Sequence, residues 1–461
     1  MALSVVKPPA ALPEPRRRAR RCGPVLETVR VELELVTPVL GGAAVPRTID
    51  DVDVVRVPSI RGQLRFWWRA LNVQRYVSAK KLYEEESALF GRAADEKGGR
   101  SPVELRVHVQ TRGEVDDDEV RLSDSKKHGP ATPGAYALFP ARSQADGTPM
   151  APRRKPGTRF TLEVRAPKER LEELRRVLRA WILFGGYGSR TRRGLGALTV
   201  TGADKASWLP EEASLAEFER LFGRDVFARE TVPAELAQTP RLAGASLLVG
   251  KALSAAELGF EGRVTTDAER AWLTALHWLR DFRQGTNTGA REPGAGNRPS
   301  ISNWPEADKI RLLTGKTTSH KPRYGEDPAW PRTGFGLPIV GQFQKKARDG
   351  GTYDEPGPFE LTWKDGEGLH NRLASPLIVK AMPLANGKFV PIALWLARAW
   401  PPGGQVVLRM GGQEKPGSAA PFDTLPGRGD RALFDPLTAK TLRAAFLDWL
   451  VSEKKATRIV G

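Results

Sequence analysis

The chain has 461 residues, a length that allows two or three domains and excludes a peptide or a disulfide-stapled mini-protein. Lysine and arginine number 72 against 54 acidic residues, and the resulting charge of +18 indicates a polyanionic partner. The single cysteine, Cys22, excludes an internal disulfide and a zinc site built from several cysteines. Because the sequence has neither a run of about 18 apolar residues nor a signal-peptide core, we expect a cytoplasmic protein with no membrane partner.

The predicted elements divide the chain into an arm and two domains. Residues 1–24 are rich in proline and arginine, and we expect them to form a flexible basic arm. An N-terminal domain is predicted at 25–205, a partly helical connector at 206–240 and a C-terminal domain at 241–461.

Alternating hydrophobic residues and two amphipathic helices define the N-terminal domain. The first strand covers 29–36, where valine and leucine alternate with charged residues. A helix at 59–72 has Ser59 as its candidate N-cap, and a second helix at 168–184 ends at a pair of glycines. Further strands are predicted at 103–109, 135–139, 160–164 and 197–200. This order is typical of a ferredoxin-like domain.

The C-terminal domain is predicted to repeat the same class of elements. A strand at 245–253 precedes a helix at 267–282, and another helix at 437–455 lies near the C-terminus. Later strands are predicted at 337–343, 359–363 and 376–384. The predicted fold class is therefore α+β, with two tandem ferredoxin-like domains of βαββαβ order.

The segment GGYGSRTRRGLG at 185–196 is the first candidate site. It contains five glycines, three arginines and no acidic residue. Glycine lets the backbone approach a partner closely and arginine binds phosphate, so we expect contact with RNA. The alternative is a flexible, solvated turn. The predicted RNA contacts are Gly186, Gly188, Ser189, Arg190, Arg192, Arg193 and Gly194.

The helix at 59–72 offers a second candidate site. Arg61, Arg65 and Arg69 are four residues apart, which places three guanidinium groups on one face. Ser59 and Arg61 fall in the first turn, where free N–H groups attract phosphate. We expect these four residues to bind RNA, and an ordinary solvated basic face is the alternative.

Neither candidate is a nucleotide-binding loop or an assembled catalytic set. The glycine-rich loop lacks the lysine of a P-loop, and Gly315-Lys316-Thr317 lacks the glycine five positions earlier. The five histidines form no HxxxH or HxH pair, so we expect no metal and no other cofactor. The acidic run at 116–119 is predicted to be a solvated face. His128, in a basic loop, is the histidine best placed for acid–base chemistry on RNA.

Four blocks of this sequence together resemble the RAMP superfamily of CRISPR RNA-guided effector subunits, and within it the family of subunit one of the type III-B Cmr complex. They are TPVLGG at 37–42, IRGQLRFWWRAL at 60–71, the loop at 185–196, and FGLPIV at 335–340 with RLASPL at 372–377. Leu195 departs from the pattern, since the family loop often has an aromatic residue there.

The resemblance implies an antiviral, RNA-binding subunit that contacts the 3′ part of the guide RNA (crRNA) and helps capture single-stranded target RNA. It also implies that other RAMP subunits of the ribonucleoprotein are neighbours, and that one of them cleaves the target. This chain would then not be an enzyme.

Two other functions compete with this one. A metal-independent endoribonuclease that processes guide-RNA precursors would need a histidine near the glycine-rich loop, and none occurs between Arg153 and Arg263 in the sequence. Only folding could bring one there. A ribosomal or tRNA-binding protein would account for the charge but not for the four blocks.

Overall fold

The computed structural model describes residues 25–92, 99–127, 129–144, 146–284, 304–319, 322, 324–343, 345, 350–423 and 441–461. The predicted arm at 1–24, the histidines His128 and His320, and the loop at 285–300 lie outside the described residues. Within the described ranges, no helix combines the length and the hydrophobicity needed to cross a bilayer.

Helices and strands occur in both halves of the described chain. The helices are α1 (Val57–Asn72), α2 (Ala79–Phe90), α3 (Ala135–Leu138), α4 (Leu171–Phe184), α5 (Lys205–Trp208), α6 (Leu215–Phe222), α7 (Asp267–Gln284), α8 (Pro305–Thr314) and α9 (Leu442–Ser452). The strands of the first half are β1 (Leu26–Leu35), β2 (Val39–Leu40), β3 (Glu104–Thr111), β4 (Val115–Asp116), β5 (Arg153–Arg154), β6 (Thr158–Pro167) and β7 (Leu198–Val200). Those of the second half are β8 (Arg241–Val249), β9 (Ile339–Gly341), β10 (Phe359–Asp365), β11 (Gly368–His370), β12 (Leu377–Pro383), β13 (Phe389–Ala397), β14 (Gln405–Met410), β15 (Gln413–Glu414), β16 (Ala420–Pro421) and β17 (Thr457–Val460).

The first sheet has four antiparallel strands in the order β3-β6-β1-β7. β1 lies between two partners, so that Leu33 faces both Phe160 of β6 and Val200 of β7. The hydrophobic residues of β1 are buried on one face, where α1 and α4 pack. Trp67 of α1 and Trp181 of α4 are fully buried in this core. The alternating sequence therefore forms one covered face, as its period predicts.

The second half contains another four-stranded antiparallel sheet, in the order β12-β13-β8-β17. Helix α7 contacts β12 and β13, and its Phe282 packs edge to face on Phe446 of α9, with ring centroids 5.1 Å apart. One core joins the two halves, because buried residues of α1 and α4 share a cluster with Leu247 of β8 and Met382 of β12. The two halves are thus packed against each other through apolar surface.

Two smaller sheets complete the described structure. Strands β11-β10-β14-β15, with β9 beside β10 and β16 beside β14, form a six-stranded sheet around Leu361 and Val406. β2, β5 and β4 form a three-stranded sheet next to the first candidate loop. A mixed α+β architecture with antiparallel sheets is therefore confirmed.

Two local predictions are wrong. Residues 135–139 form helix α3 and a 3-10 turn, not a strand. Gly134 takes a left-handed conformation (φ 73°) directly before α3, at a point where a Cβ would collide with the ring of Trp272. A five-residue apolar run fits either structure, and packing against α7 selects the helix. Helix α1 begins at Val57 with Arg56 as its N-cap, so Ser59 lies inside the first turn and is not the cap.

Candidate nucleic-acid interface

The glycine-rich loop at 185–196 leaves the end of α4 and folds onto the segment that follows β1. The backbone N–H of Ser189 donates to the carbonyl of Leu40 at 2.7 Å, and that of Gly196 donates to the carbonyl of Pro38 at 2.9 Å. Thr37 also holds the loop in place, because its hydroxyl donates a hydrogen bond to Gly194 O at 2.7 Å. The first and third sequence blocks are therefore neighbours in space. Because several N–H groups of the loop are already bonded, phosphate contact from this loop depends on its arginine side chains.

The glycines of this loop allow it to pack closely on the chain itself. Gly194 is buried with φ at 78°, and a Cβ there would collide with the ring of Trp272 on α7. Gly186 is also buried, and a Cβ there would lie 2.8 Å from Gly196 O. Gly188 is half-buried with φ at 87° and faces the backbone of Leu40. Contact between these glycines and RNA stays a prediction.

The three arginines of the loop have different environments. Arg190 is exposed, adopts a left-handed conformation (φ 57°), and accompanies the exposed Ser189. Arg192 is half-buried, lies over the ring of Phe66 on α1 at 5.4 Å, and donates to the carbonyl of Ser375. Arg193 is half-buried and donates to Leu377 O at 2.9 Å. Arg192 and Arg193 thus connect the two halves of the chain, and Arg190 faces solvent.

These arginines line a cleft of about 1530 Å³ between the two halves. Of the described residues, nine arginines and one acidic residue, Asp124, line it. The arginines are Arg47, Arg142, Arg190, Arg192, Arg193, Arg263, Arg280, Arg283 and Arg332. Segments of the fourth sequence block, 335–340 and 373–375, form part of the same wall. Such a concentration of one charge in a concave surface attracts a polyanion.

Most of the positive charge in the cleft is not neutralised within the described part of the chain. Arg280 pairs with Asp281 at 2.7 Å, and Arg332 pairs with Glu306 at 3.3 Å. The other seven arginines form no ion pair among the described residues, and where they donate hydrogen bonds their acceptors are backbone carbonyls or the hydroxyl of Tyr136. Carbonyls accept hydrogen bonds without cancelling charge, so the cleft keeps its positive potential.

Desolvation is the main cause that lowers the pKa values of the loop arginines. Desolvation lowers the pKa of Arg192 to about 10 and that of Arg193 to about 9, where nearby Arg283 and Arg190 contribute in the same direction. Arg190 is exposed but lies in the cleft lining, and partial desolvation there lowers its pKa, with the charge of Arg283 acting in the same direction and Tyr136 opposing it. Arg192 and Arg193 therefore remain cationic at neutral pH, and a phosphate brought into the cleft would offset the repulsion between Arg193 and its neighbours Arg283 and Arg190.

The arginines of α1 are placed differently from those of the loop. Arg65 and Arg69 both pair with Glu86 of α2, which is 3% exposed, and Arg69 reaches its two carboxylate oxygens at 2.7 and 2.8 Å. Arg61 donates to Ser101 Oγ at 3.1 Å and to Val103 O at 3.2 Å. These contacts bind α1 to neighbouring segments of the first half.

The two predicted arginine clusters line separate cavities. Arg61 and Arg65 line a cavity of about 690 Å³ that none of the loop arginines reaches among its described lining residues. Ser59 is half-buried in the first turn of α1. Just before that turn, the backbone N–H of Arg56 donates to the hydroxyl of Tyr187 at 2.8 Å, which holds the start of α1 beside the glycine-rich loop. Contact of Ser59 and the α1 arginines with RNA stays a prediction.

The histidines and acidic residues singled out in the sequence are distributed over the structure. His277 lines the arginine cleft, and burial followed by the charge of Arg280 lowers its pKa to about 4, so it is neutral. His108 is exposed on β3 beside Glu163, and His370 stacks on a tryptophan of β10. Asp116 of the acidic run pairs with Arg153 at 2.7 Å. Among the described residues, no three His, Cys, Asp or Glu side chains are grouped as a metal site.

The Gly315-Lys316-Thr317 sequence lies at the end of helix α8, and its lysine forms a salt bridge. Gly315 ends α8 in a left-handed conformation (φ 69°), and Lys316 pairs with Asp354 at 2.8 Å. Glycine commonly occupies this position after a helix, since it has no Cβ penalty there. This local role accounts for the glycine without a nucleotide.

Six cleft arginines were missed by sequence reasoning. They are Arg47, Arg142, Arg263, Arg280, Arg283 and Arg332. One signal was available, because Arg280 and Arg283 are three residues apart on α7 and therefore share a face. The others are isolated arginines in loops or, for Arg332, in a short 3-10 helix, and only the fold brings them together.

Comparison with known proteins supports the resemblance that the four sequence blocks carry. Residues 32–199 match the model of the RAMP superfamily. The chain is 30% identical over 152 residues to the CRISPR system Cmr subunit Cmr1-1 of Pyrococcus furiosus; this alignment covers 32% of this chain and 41% of that protein.

Two solved structures are similar at low sequence identity. The first is the apo crystal structure of Cmr1 from Pyrococcus furiosus, with 16% identity, coverage of 95% of this chain and 99% of that chain, and a TM-score of 0.46. The second is the cryo-EM structure of the Type III-B Cmr-beta bound to cognate target RNA, with 12% identity, coverage of 80% and 94%, and a TM-score of 0.41. The resemblance read from the four blocks is confirmed, with the match to the RAMP superfamily model covering residues 32–199 and the alignment to a Cmr1 subunit covering 41% of that protein.

Proposed function

We propose that this protein is the RNA-binding subunit of a cytoplasmic type III-B CRISPR (Cmr) effector. In this role it contacts the 3′ part of the guide RNA, helps to capture single-stranded target RNA, and assembles with other RAMP subunits. Target cleavage belongs to another subunit, and this chain acts by binding. The similarity to a Cmr1 subunit supports this assignment over 32% of the chain.

The arginine cleft is the observation that carries the proposal. Three of the four sequence blocks meet at or beside its wall, where Arg192 and Arg193 of the loop bond to the carbonyls of Ser375 and Leu377. Nine arginines face one acidic residue among its described lining. Proteins that bind single-stranded RNA with little sequence preference use such basic grooves to follow the phosphate backbone.

We also propose that both halves are ferredoxin-like domains, at 25–205 and 241–461, joined by the connector at 206–240. Each four-stranded sheet has the order second-third-first-fourth when its strands are numbered along its own half. In each half a helix follows the first strand and another follows the third. The shared order supports a βαββαβ unit present twice.

Copurification from the host tests the proposed function. The tagged chain is isolated under native conditions, and the bound RNA is sequenced together with mass spectrometry of the bound proteins. We expect short RNAs that share a repeat-derived 5′ end, along with other RAMP subunits. Recovery of ribosomal RNA or tRNA instead would support the ribosomal or tRNA-binding alternative.

The endoribonuclease remains a second candidate because one histidine lies in the arginine cleft, although its contacts weaken the case for catalysis. Folding brings His277 into the cleft that the loop arginines line, which the sequence alone does not reveal. Its Nε2 lies 3.0 Å from Arg280 Nη1 and thereby serves as an acceptor, which removes that nitrogen as a free base. Purified protein is expected to leave labelled guide precursor intact. Cleavage that is lost in His277→Ala would establish the endoribonuclease.

A further inference from the structure

An exposed aromatic ring lies in the arginine cleft without an aromatic partner. Phe139 follows α3 and is 56% exposed, and it lines the cleft together with the loop arginines. In the described part of the chain it makes one ring contact, with the guanidinium of Arg142 at 5.5 Å. A phenylalanine this exposed gives up most of the free energy that burial would provide. Its position therefore calls for an explanation.

The backbone that carries Phe139 is firmly anchored. Leu138 is buried immediately before the ring, and Gly134 packs against Trp272 at the start of α3. Arg47 donates to the carbonyls of Pro140 and Arg142, which clamps the turn from the other side. The ring is thus held in the solvent-filled cleft by a rigid support, unlike a side chain at a loosely held loop tip.

We propose that Phe139 is a stacking platform for one unpaired RNA base, and that it makes the arginine cleft selective for single-stranded RNA. This inference rests on the proposed function, because the arginines supply the phosphate contacts and the ring supplies the base contact. A base inside a duplex has both faces covered by its neighbours, whereas an unpaired base can lie on the ring.

The chemistry around the ring favours a nucleotide over an apolar protein segment. Arg142, whose guanidinium has no hydrogen-bond acceptor among the described residues, lies next to the ring. Arg47, Arg190 and Arg263 line the same cleft. An apolar partner would leave these charges desolvated and unpaired, whereas a nucleotide offers a π face for the ring and a phosphate for the guanidinium groups.

The test compares Phe139→Ala with the full-length parent chain on two labelled probes. One probe is a short oligoadenylate, and the other is an abasic oligomer with the same number of phosphates. We expect Phe139→Ala to bind the oligoadenylate about tenfold more weakly, a loss within the range of a stacked base. Affinity for the abasic oligomer should not change, because the phosphates and the arginines are the same.

Three further proteins make the result specific. Phe139→Tyr keeps an aromatic face and should bind like the parent chain, whereas Phe139→Leu keeps apolar bulk and should lose affinity. Tyr83→Ala removes an exposed aromatic ring, 52% exposed, from α2 outside the cleft lining and should have no effect. A duplex of the same length should bind the parent chain and Phe139→Ala equally.

Several outcomes would overturn the inference. Equal losses on both probes would mean that Phe139 only supports the arginines. Unchanged RNA affinity with lost capture of partner subunits would identify the ring as a protein contact. If the parent chain bound neither probe, the proposed RNA-binding function itself would fail, which the parent measurement alone reveals.

Discussion

Lys380 of β12 donates a hydrogen bond from Nζ to the carbonyl oxygen of Gly185 at 2.8 Å, and a second one to that of Ile182 at 3.0 Å. The lysine side chain is fully buried and comes from the opposite half of the molecule. The last carbonyls of a helix have no partner within it and carry partial negative charge. Lys380 therefore satisfies the end of α4 at the point where the glycine-rich loop begins.

This contact predicts a pH-dependent stability. Burial lowers the pKa of Lys380 to about 7 from 10.5, and a neutral amine has two N–H groups for its two carbonyl acceptors. Between about pH 7 and 10.5 the unfolded chain binds a proton that the folded chain has lost, so this lysine makes stability rise with pH. Between these two pH values, a single such group raises the free energy of unfolding by ~1.4 kcal/mol per pH unit.

Lys380→Met provides the comparison. Urea unfolding of both proteins at several pH values above 7 should give curves of stability against pH that diverge, with the methionine variant lacking the contribution of the lysine. It should also be less stable at the upper end of this range, because two buried carbonyls lose their donors. Parallel curves would show that the lysine keeps its ordinary pKa.

Arg190 and Arg193 are predicted to separate binding from folding. Arg193→Ala removes the bond to Leu377 O between the halves and should lower the free energy of unfolding by about 1.5–3 kcal/mol. Arg190→Ala removes an exposed side chain and should change it by less than about 0.5 kcal/mol while weakening RNA binding. Denaturant unfolding and RNA anisotropy on each single variant measure the two effects. Equal destabilisation by both variants would contradict this division.

Removing all three loop arginines together would not separate RNA binding from folding. Arg192 and Arg193 bond to carbonyls of the second half, and the triple variant would lose these contacts together. Its RNA affinity would then report folding as well as binding.

The buried carboxylate of Glu86 is predicted to stabilise the first half. It accepts hydrogen bonds from Arg65 and Arg69, and Glu86→Ala leaves both guanidinium groups without this partner. Breaking a buried pair costs about 3–5 kcal/mol, so the thermal midpoint should fall markedly. Glu84→Ala on the exposed face of the same helix is the control, since its pair with Lys81 is a surface contact. If both variants unfold at the parent temperature, the α1 arginines have no structural role here.

The regular elements could be predicted where one face of an element is buried. The strand at 29–36 and the helices at 59–72, 168–184 and 267–282 agree with the structure within a few residues, because local periodicity encodes a single covered face. Helix α2 was missed because a charged residue, Glu86, interrupts its buried face between Leu82 and Leu89, and that carboxylate is buried only through its ion pairs with Arg65 and Arg69 of α1.

The candidate site was predicted only in part. The glycine-rich loop is visible because its arginines are clustered in sequence, and the structure places it in the wall of the cleft. Arg47, Arg263 and Arg332 reach that cleft from distant segments, and no spacing rule relates them. The roles of the loop arginines were also hidden, because Arg192 and Arg193 bond to backbone atoms of the other half.

Salt dependence of RNA affinity tests the central claim most directly, because it counts the phosphate contacts made in the cleft. Each contact contributes about 0.7 to the slope of log affinity against log salt for single-stranded nucleic acid. The slope should fall by ~1.4 in the double variant Arg142→Ala/Arg190→Ala and stay unchanged in Arg30→Ala, whose side chain lies on β1 away from the cleft lining. An unchanged slope in the double variant, or an equal fall in the control, would contradict the assignment of the arginine cleft as the RNA-binding surface.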